Sequence, residues 1–473
     1  MKNYSKYIFA ALCVATISTS AVSAQNIALS TGYFNDGYLS KHFQNPAFTP
    51  DRGYFSFPIL GNEVISVTSS LKAQNLFFPT DGGLATFLSP KVSVETAMAG
   101  IAKANPLNLS LNQNIISFGF FNKKGTIFTS IDLGARVNAN VMLPYDLFAI
   151  AKGGDAFGGG KDYSLTGMDV SAAARAELSL GQSYAIGKKV HFGYRAKFLV
   201  GLADVSAHFD KFDATLNSSL WNIDAKASLK YNGIAFGTTD EGYIDFTQFA
   251  ISPDFFPDLK RNLGFAFDLG LSYDIFSWLQ LSVSAQDLGL IFYHNYCTAN
   301  SEATMSLGTE EGSETINEFM DEFTKLTQFK PGATQDVSKI MLPSTVRAGL
   351  QIRIPTYEKI SFGALYTHKI QNIYSGWEIR ASFNYDICRA LSFSASYAYT
   401  TPIVNAGFHE HQLGALLNLH APGFNLFIGA DNIPISYSVQ GIPLSTASTT
   451  VNFGINFMVG KYHGRYPKAK TKN

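Results

Sequence analysis

The fold is decided by residues 263–273, which read LGFAFDLGLSY. Every second residue is large and apolar, from Leu263 through Leu269 to Tyr273, and the residues between them are small or polar. Successive side chains of an extended strand point to opposite faces, so one face here is apolar and the other is not. After a short turn the alternation resumes at Leu279. The two runs predict an antiparallel hairpin with one face toward lipid and the other toward a polar lumen.

The same alternation recurs along the chain. The further runs are residues 131–138, 192–198, 346–353, 377–384 and 451–460. The composition is 46% hydrophobic and 14% aromatic, whereas only 15% of the residues are charged. A soluble β-sandwich also alternates, but it turns its polar face to water and carries more charge there. We therefore expect an all-β protein, a transmembrane antiparallel β-barrel of about 14 strands.

The N-terminus has the layout of a secretory signal. Lys2 and Lys6 precede an apolar run at residues 7–17, and Ala24 ends a small-residue cleavage site. The apolar run is too short to span a bilayer as a helix. Residues 1–24 are therefore predicted to be a cleaved signal peptide, and export together with the predicted barrel leads us to expect an outer-membrane location. The formal net charge is zero, so charge gives no indication of a nucleic-acid partner.

Short and long connections alternate between the predicted strands, as in bacterial barrels. The segments predicted as long outer loops are residues 144–164, 205–261, 294–342, 371–375, 401–410 and 433–449. This count places the barrel at residues 54–460 and leaves a basic C-terminal tail at residues 461–473. Alternation at residues 223–231 leaves two alternatives open, a loop hairpin or two additional wall strands.

Three regions do not alternate. Residues 25–53 are rich in aromatic residues and are predicted to fold into the lumen as a hatch or plug; the alternative is a disordered periplasmic leader. Pro46 removes a backbone donor there and disfavours helix at the preceding residue. Residues 94–104 predict a short helix. Residues 315–326 predict an amphipathic helix, which is either a packed element of an outer loop or a lid over the pore.

Two sets of motifs carry a family resemblance. The first is Gln44-Asn45-Pro46-Ala47-Phe48, and the second comprises residues 262–270 (NLGFAFDLG) with residues 281–289 (LSVSAQDLG). They resemble an uncharacterised outer-membrane barrel family of Gram-negative bacteria, a domain of unknown function, which is itself similar to FadL-type fatty acid transporters. The resemblance implies a 14-stranded barrel in which Asn45, Pro46 and Ala47 form the plug motif. Proteins of this wider group also include non-transporting partners of the type IX secretion system.

The remaining candidate site consists of charged residues at strand positions whose side chains are predicted to point into the lumen. They are Arg136, Arg175, Glu177, Arg195, Lys197, Arg347, Arg353, Glu378 and Arg380, together with Asp132, Asp268 and Asp386. A cation facing lipid would cost about 2–4 kcal/mol near the bilayer midplane, so these side chains must face inward. Two hypotheses remain: the charges pair across the lumen and hold the hatch, or they form a mildly cationic path for an anionic headgroup. The same alternation predicts that Leu269 faces lipid and that Gly270 faces the lumen. We therefore expect Gly270→Ser to be tolerated.

Motifs for enzyme or metal chemistry are weak. The sequence contains no Gly-x-Ser-x-Gly, and His409 and His411 lack the further ligands that a zinc site needs. Cys297 and Cys388 are either a disulfide pair or two isolated thiols. We expect a protein that is not an enzyme and uses no cofactor and no metal.

The expected partners are outer-membrane lipid, periplasmic chaperones and the barrel-insertion machinery, with either a hydrophobic solute or an envelope protein as the functional partner. Two functions remain open: a FadL-like channel for small hydrophobic or amphipathic solutes, or a non-transporting structural or secretion-associated protein. A channel should have a lumen pocket with apolar and aromatic lining, whereas an adaptor should have a filled lumen.

Overall fold

The structure, a computed structural model, describes residues 26–80, 83–152, 161–216, 220–251, 260–308, 328–403, 409–434 and 448–463. Its main element is a large antiparallel sheet with 14 wall strands. The strands are β1 (Gly53–Ser56 and Glu63–Ser69), β2 (Ala104–Phe121), β3 (Ile127–Pro144), β4 (Asp169–Ile186), β5 (Val190–Leu216), β6 (Leu220–Asn232 and Leu263–Phe276), β7 (Leu279–Gly308), β8 (Lys330–Pro331, Gln335–Met341 and Ser344–Ile354), β9 (Tyr357–Ile370), β10 (Gly376–Cys388), β11 (Leu391–Thr401), β12 (Glu410–Leu419), β13 (Asn425–Ala430) and β14 (Thr449–Val459).

The sheet closes on itself because the first strand pairs with the last. Both parts of β1 pair with β14 on one side and with β2 on the other. Closure leaves no sheet edge with unpaired backbone groups, which is the condition for strands to cross a bilayer. The predicted 14-stranded transmembrane barrel is confirmed.

The outward face of the wall is apolar and the inward face is polar. Leu269 lies on the outward face and is 44% exposed. Phe267 and Leu271 on the same strand are exposed on this face to a similar extent. Their neighbours Asp268 and Gly270 point inward, and Asp268 is fully buried. The phase predicted from the alternating sequence is therefore the phase of the wall.

Strands β5, β6 and β7 are much taller than the opposite wall. The run at residues 223–231 belongs to the outer part of β6, which pairs with β5 and β7, and β6 resumes at Leu263 after an insertion. The run pairs antiparallel with the outer part of β5, as the hairpin alternative predicted, but it also pairs with β7 and so continues the wall sheet. The loops predicted at residues 205–261 and 294–342 were wrong where these strands continue. The continuing alternation marks a sheet that extends past the lipid-facing band.

Short elements cover the outward face of this tall wall. They include a helix α2 (Ala73–Leu76), a helix α3 (Val94–Met98), a helix α4 (Tyr145–Lys152) and two hairpins, Phe77–Thr80 with Gly83–Thr86 and Ile234–Thr238 with Ile244–Ile251. Their apolar side chains bury Phe212 and Ile223 in one cluster and Val205 and Leu229 in another. Burial of this apolar surface holds the outer elements against the wall.

The predicted helices are partly described. A helix forms at Val94–Met98, where the Ser93 side chain accepts a hydrogen bond from the Thr96 amide and so caps its start, and it is shorter than the predicted range 94–104. The predictions for residues 1–24 and 315–326, and most of the tail at residues 461–473, lie outside the described residues. No helix among the described residues is long and apolar enough to cross a bilayer.

Candidate functional site: a lumen filled by the N-terminal segment

Residues 26–52, called the N-terminal segment below, lie inside the barrel. The segment has no strand; it contains a 3-10 turn (Ser30–Gly32) and the short helix α1 (Lys41–Gln44). Tyr33, Tyr38 and Asn45 are completely buried. Irregular backbone survives at membrane depth only where protein surrounds it, and the lumen supplies those surroundings.

Asn45, Pro46 and Ala47 form a turn that fits a slot in the wall. Asn45 Oδ1 accepts a hydrogen bond from the Ala47 amide at 3.0 Å, and the Asn45 carbonyl accepts one from the Phe48 amide at 2.9 Å. The slot is formed by Gly193 on β5 and Gly270 on β6, which are directly paired. A Cβ at Gly193 would overlap the Pro46 carbonyl, and one at Gly270 would overlap Asn45 Oδ1.

This contact corrects the expectation for Gly270. The residue faces the lumen as predicted, but the lumen is occupied at that point. A Cβ at Gly270 would also lie 2.8 Å from the Ala47 amide nitrogen, closer than real side chains approach. Gly270→Ser is therefore expected to displace the turn, because a packed site does not accept added atoms without movement.

Wall side chains also bind the backbone of the segment. Ser284 Oγ donates to the Gln44 carbonyl at 2.9 Å, and Gln351 Nε2 donates to the Phe34 carbonyl at 2.9 Å. Gln286 Nε2 donates to the Phe43 carbonyl. A segment without strand partners must satisfy its buried backbone groups in this way.

One carboxylate accepts three hydrogen bonds from the start of the segment. Asp431 accepts hydrogen bonds from the Ser30 amide at 2.7 Å, from the Thr31 amide at 2.8 Å and from Thr31 Oγ1 at 2.6 Å. Arg380 Nη1 lies 3.7 Å from the same carboxylate. Asp431 was not singled out in the sequence, because it follows the last residue of β13 and stands in no recognisable motif.

The predicted lumen charges lie on the inward face and are largely paired. Eight of them, Arg136, Arg175, Glu177, Arg195, Lys197, Arg347, Arg353 and Arg380, are between 1% and 7% exposed, and the side chain of Glu378 is 17% exposed. Arg136 Nε lies 2.9 Å from Glu177, and Lys197 Nζ lies 2.8 Å from Asp268. These contacts favour the hypothesis that the charges compensate one another.

The lumen charges form two groups in the wall, which Arg347 connects because its charge interacts with both Glu378 and Asp287. The larger one contains Arg136, Arg175, Arg195, Lys197 and Arg347 with Asp132, Glu177, Asp268 and Asp287. The smaller group joins Arg380 to Glu378 at 2.8 Å and to Asp431, beside the start of the N-terminal segment. Arg353 stands apart and contacts Asp36 of the segment at 3.5 Å. Asp386 lies at the periplasmic end of β10, outside both groups.

The outer mouth is closed by a second contact. Tyr374, between β9 and β10, reaches across the barrel and donates a hydrogen bond to Asp169 at the start of β4 at 2.8 Å. Met142 on β3 and Ile403 beyond β11 pack with Tyr374 in a buried apolar cluster. Because these residues come from opposite sides of the wall, their contact bridges the outer mouth.

A small chamber lies between the two closures. Its volume is about 60 Å³, and its lining includes Asn26 and Ser30 of the N-terminal segment and Tyr374 of the outer contact. The remaining lining is mainly polar, with Lys369 and Thr367 beside the aromatic ring of Trp377. Its size corresponds to a few water molecules, and its polarity differs from the apolar pocket expected for a hydrocarbon route.

A wider vestibule opens on the periplasmic side of the segment. Its volume is about 590 Å³, and its lining includes Phe34 and Phe48 together with Lys41, Asp51 and His420. Burial raises the pKa of Asp51, and burial together with the nearby Lys41 lowers the pKa of His420. A desolvated histidine beside a cation is kept neutral, so His420 adds no charge to the vestibule at neutral pH.

The other residues considered for chemistry lie away from the lumen. His409 Nδ1 lies 2.8 Å from Thr401 Oγ1, and His411 Nδ1 lies 2.6 Å from the Tyr397 hydroxyl on the outward face. Cys297 and Cys388 are free thiols. Within the described ranges no group of three or more metal-ligating side chains comes together.

The family is given by a sequence-family model that matches residues 46–431. The chain belongs to the DUF5723 family of unknown function. This match confirms the predicted membership of an outer-membrane barrel family without assigned function. Among curated proteins, no sequence matches this chain.

Solved structures that are similar to this chain include a FadL homologue and two toluene transporters. A Pseudomonas aeruginosa FadL homologue is 12% identical with a TM-score of 0.46, over 93% of this chain and 100% of that one. The Ralstonia pickettii toluene transporter TbuX is 9% identical with a TM-score of 0.43, over 94% and 97% of the two chains. The P. putida toluene transporter TodX is 10% identical with a TM-score of 0.41, over 95% and 97%. The barrel assignment here rests on the strand pairing itself.

Proposed function

We propose that this DUF5723 protein is a gated outer-membrane channel for a small amphipathic solute. The observation that carries the proposal is the chamber enclosed between the N-terminal segment and the Tyr374 contact. Neither closure is part of the hydrogen-bonded sheet: wall side chains hold the N-terminal segment, and one hydrogen bond with apolar packing holds Tyr374, whereas the wall is continuously hydrogen-bonded. A barrel with two local closures and space between them needs only side-chain and segment movement to conduct.

The chemistry of the two cavities supports an amphipathic solute rather than a hydrocarbon. Aromatic rings of Phe34 and Phe48 stand beside Lys41 in the vestibule, and Trp377 stands beside Lys369 in the chamber. A solute with both an apolar part and a polar group would have contacts for each part on either side of the segment.

The test is conductance in planar bilayers of four proteins: the natural chain, a deletion of residues 26–45, Tyr374→Ala, and the combination of the two changes. With two closures in series, the combination should conduct far more than either single change. Heat-modifiable migration of each protein on gels shows that the barrel remains folded. A folded combined variant that stays closed would contradict the channel.

A second candidate is a non-transporting, secretion-associated partner protein. It is favoured by the filled lumen and its mainly polar chamber, which are expected of an adaptor. It is also favoured by the tall outer wall, whose inward side exposes charged residues such as Lys211, Asp224 and Lys226 on neighbouring strands. A hydrophilic protein could bind such a surface without entering the lumen. This alternative predicts two results. The protein should capture an envelope protein, and reversing these charges should abolish the capture; the combined variant should show no conductance.

A further inference from the structure

A group of ring side chains that also carry polar atoms lies on the outward face of β9 to β12. Strand pairing brings them to one level, because Tyr366 pairs with Ile379, Ile379 with Tyr399, and Tyr399 with His411. His368 and His409 lie just above this row, and Tyr397 lies just below it. The group, called the outer-rim patch below, comprises Tyr366, His368, Tyr397, Tyr399, His409 and His411.

The rings of the outer-rim patch are stacked on one another. The centroid of the Tyr399 ring lies 5.5 Å from that of His409, with 18° between the ring planes. Tyr397 stacks on His411 at 5.9 Å. Stacking occupies the apolar faces of the rings and fixes their orientation before any ligand binds, so the polar atoms at the ring edges remain available at the surface.

Hydrogen bonds orient the two histidines further. Thr401 Oγ1 lies 2.8 Å from His409 Nδ1, and the Tyr397 hydroxyl lies 2.6 Å from His411 Nδ1. When a hydroxyl donates to Nδ1, a neutral imidazole carries its proton on Nε2, so Nε2 is a hydrogen-bond donor. Both histidines are exposed. Alternate residues of an extended chain are about 7 Å apart on the same face, so one ligand can contact both rings.

The outer-rim patch lies at the level of the lipid headgroups in the outer leaflet. Tyr357 is exposed at the periplasmic start of β9, eleven residues before His368. At about 3.3 Å per residue and a strand tilt of about 40°, the two residues are about 28 Å apart along the bilayer normal. The apolar band of a bacterial barrel is about 25 Å tall. When Tyr357 marks the periplasmic interface, the patch therefore lies at the outer one.

The charges around the outer-rim patch admit a negatively charged ligand. Glu378 and Glu410 belong to the same part of the wall, but both point into the lumen, where they bind Arg380 and Asn432. Among the described residues of β9 to β12, no carboxylate faces outward at the level of the patch. A phosphate group at this position would meet imidazole donors and no opposing charge on the same face.

We infer that the outer-rim patch binds the phosphorylated sugar headgroup of a glycolipid in the outer leaflet. Nε2 of His409 and of His411 donates to phosphate oxygens, and the tyrosines lie beside the sugar. The patch crosses three strand spacings, about 14 Å, which is wider than a single phosphate group and suits a phosphorylated disaccharide. The site lies on the outside of the barrel, so it is independent of solute passage through the lumen.

The first test measures lipid binding to the natural protein in detergent micelles by native mass spectrometry. The probes are a bisphosphorylated diglucosamine lipid, its monophosphorylated form and phosphatidylglycerol. We expect the bisphosphorylated glycolipid to bind more tightly than the monophosphorylated one, and both to bind more tightly than phosphatidylglycerol. Equal binding of phosphatidylglycerol and the bisphosphorylated glycolipid would overturn the proposal, since the patch would then contact any anionic lipid.

Variants separate the outer-rim patch from the rest of the lipid-facing surface. His409→Phe combined with His411→Phe keeps two rings for stacking but removes their nitrogens, so glycolipid binding should weaken about tenfold. Tyr357→Phe is the control, because it removes a polar group at the periplasmic interface, and it should leave binding unchanged. Heat-modifiable migration on gels shows that each variant is folded. Undiminished binding by the double variant, or an equal loss of phosphatidylglycerol, would contradict the site.

Chemical protection of the natural protein gives a measurement that does not depend on any variant. Diethyl pyrocarbonate transfers an ethoxycarbonyl group to an exposed imidazole nitrogen and releases ethanol and carbon dioxide. The bisphosphorylated glycolipid should slow modification of His409 and His411 several-fold relative to phosphatidylglycerol. His208, whose side chain is 44% exposed on the outer part of β5, should react equally in both lipids. Equal rates at His409 and His411 in the two lipids would overturn the proposal. Conductance has no part in these measurements, so a failure of the channel proposal would leave their result unchanged.

Discussion

The two ends of the N-terminal segment are held in the barrel by different physical means. The Asn45-Pro46-Ala47 turn is held by shape, in a slot that exists because Gly193 and Gly270 have no side chains. The Ser30–Thr31 end is held by charge, through three hydrogen bonds to the carboxylate of Asp431. Contacts of shape persist at any salt concentration, whereas a charge-assisted contact changes with the charge of its acceptor.

This difference suggests an order in which the segment could leave the lumen. The turn lies next to the periplasmic vestibule, whose lining includes Ala47, whereas the Asp431 contact lies at the chamber, deeper in the barrel. Loss of the charged contact would loosen the inner end, which then keeps only neutral hydrogen bonds such as those from Asn26 to Ser66 and Thr450, while the turn remains in place. The turn thus acts as the fixed end and the Ser30–Thr31 end as the releasable one.

The largest expected effect concerns the barrel wall, which contacts both ends of the N-terminal segment. Leu269→Arg places a charge at an outward position that is 44% exposed to lipid, beside the glycine slot. Near the bilayer midplane this costs about 2–4 kcal/mol, so insertion into vesicles should fail or be strongly reduced. Heat-modifiable migration on gels measures the folded fraction. Leu269→Phe is the matched control and should insert normally; equal insertion of the two variants would contradict the assigned phase.

The next largest effect is expected from a variant that disrupts the Asn45-Pro46-Ala47 turn, the end held by shape. Gly270→Ser should fold as a barrel but displace the turn, at a cost of about 1–3 kcal/mol typical of overpacking. Protease added from the periplasmic side should then cut the N-terminal segment faster than in the natural protein. Gly181→Ser is the control, because the atoms nearest to a Cβ there belong to the side chains of Ser130 and Arg195 and not to the segment. Equal cleavage of the two variants would show that the slot does not hold the turn.

The same contrast explains what the sequence could and could not predict. Period-two alternation is a local signal, so the strands, the phase of Leu269 and the inward position of Arg380 could be read directly. The Asn-Pro-Ala turn was visible because proline and its neighbours restrict the backbone locally. The contact between Asp431 and Thr31 joins residues 400 positions apart, and no periodicity reports such a pair. For the same reason Tyr374 with Asp169, and the pairing of Gly193 with Gly270, needed the closed barrel to be seen.

A smaller effect should follow from breaking the end held by charge. Asp431→Asn keeps the shape of the side chain but removes its charge, and hydrogen bonds to a charged group contribute about 1.5–3 kcal/mol. We expect the Ser30–Thr31 end to detach more often while the turn stays in place. Labelling of Ala28→Cys by a maleimide, in a chain with Cys297→Ser and Cys388→Ser, measures this detachment. Asp224→Asn on the exposed outer wall is the control, and equal labelling in the two backgrounds would contradict the role of Asp431.

The smallest effect concerns the outer contact, which is independent of both ends of the segment. Tyr374→Phe removes only the hydroxyl that donates to the carboxylate of Asp169, a single hydrogen bond that contributes about 1.5–3 kcal/mol, whereas Asp431 accepts three. The Phe ring should still pack on Met142 and Ile403, so conductance of the otherwise natural protein should not change. Combined with the deletion of residues 26–45, Tyr374→Phe should raise the open fraction modestly and Tyr374→Ala should raise it more. This graded response is expected only if the outer contact is a second closure in series. If the deletion alone conducts as well as both combinations, Tyr374 forms no barrier and the N-terminal segment is the whole gate.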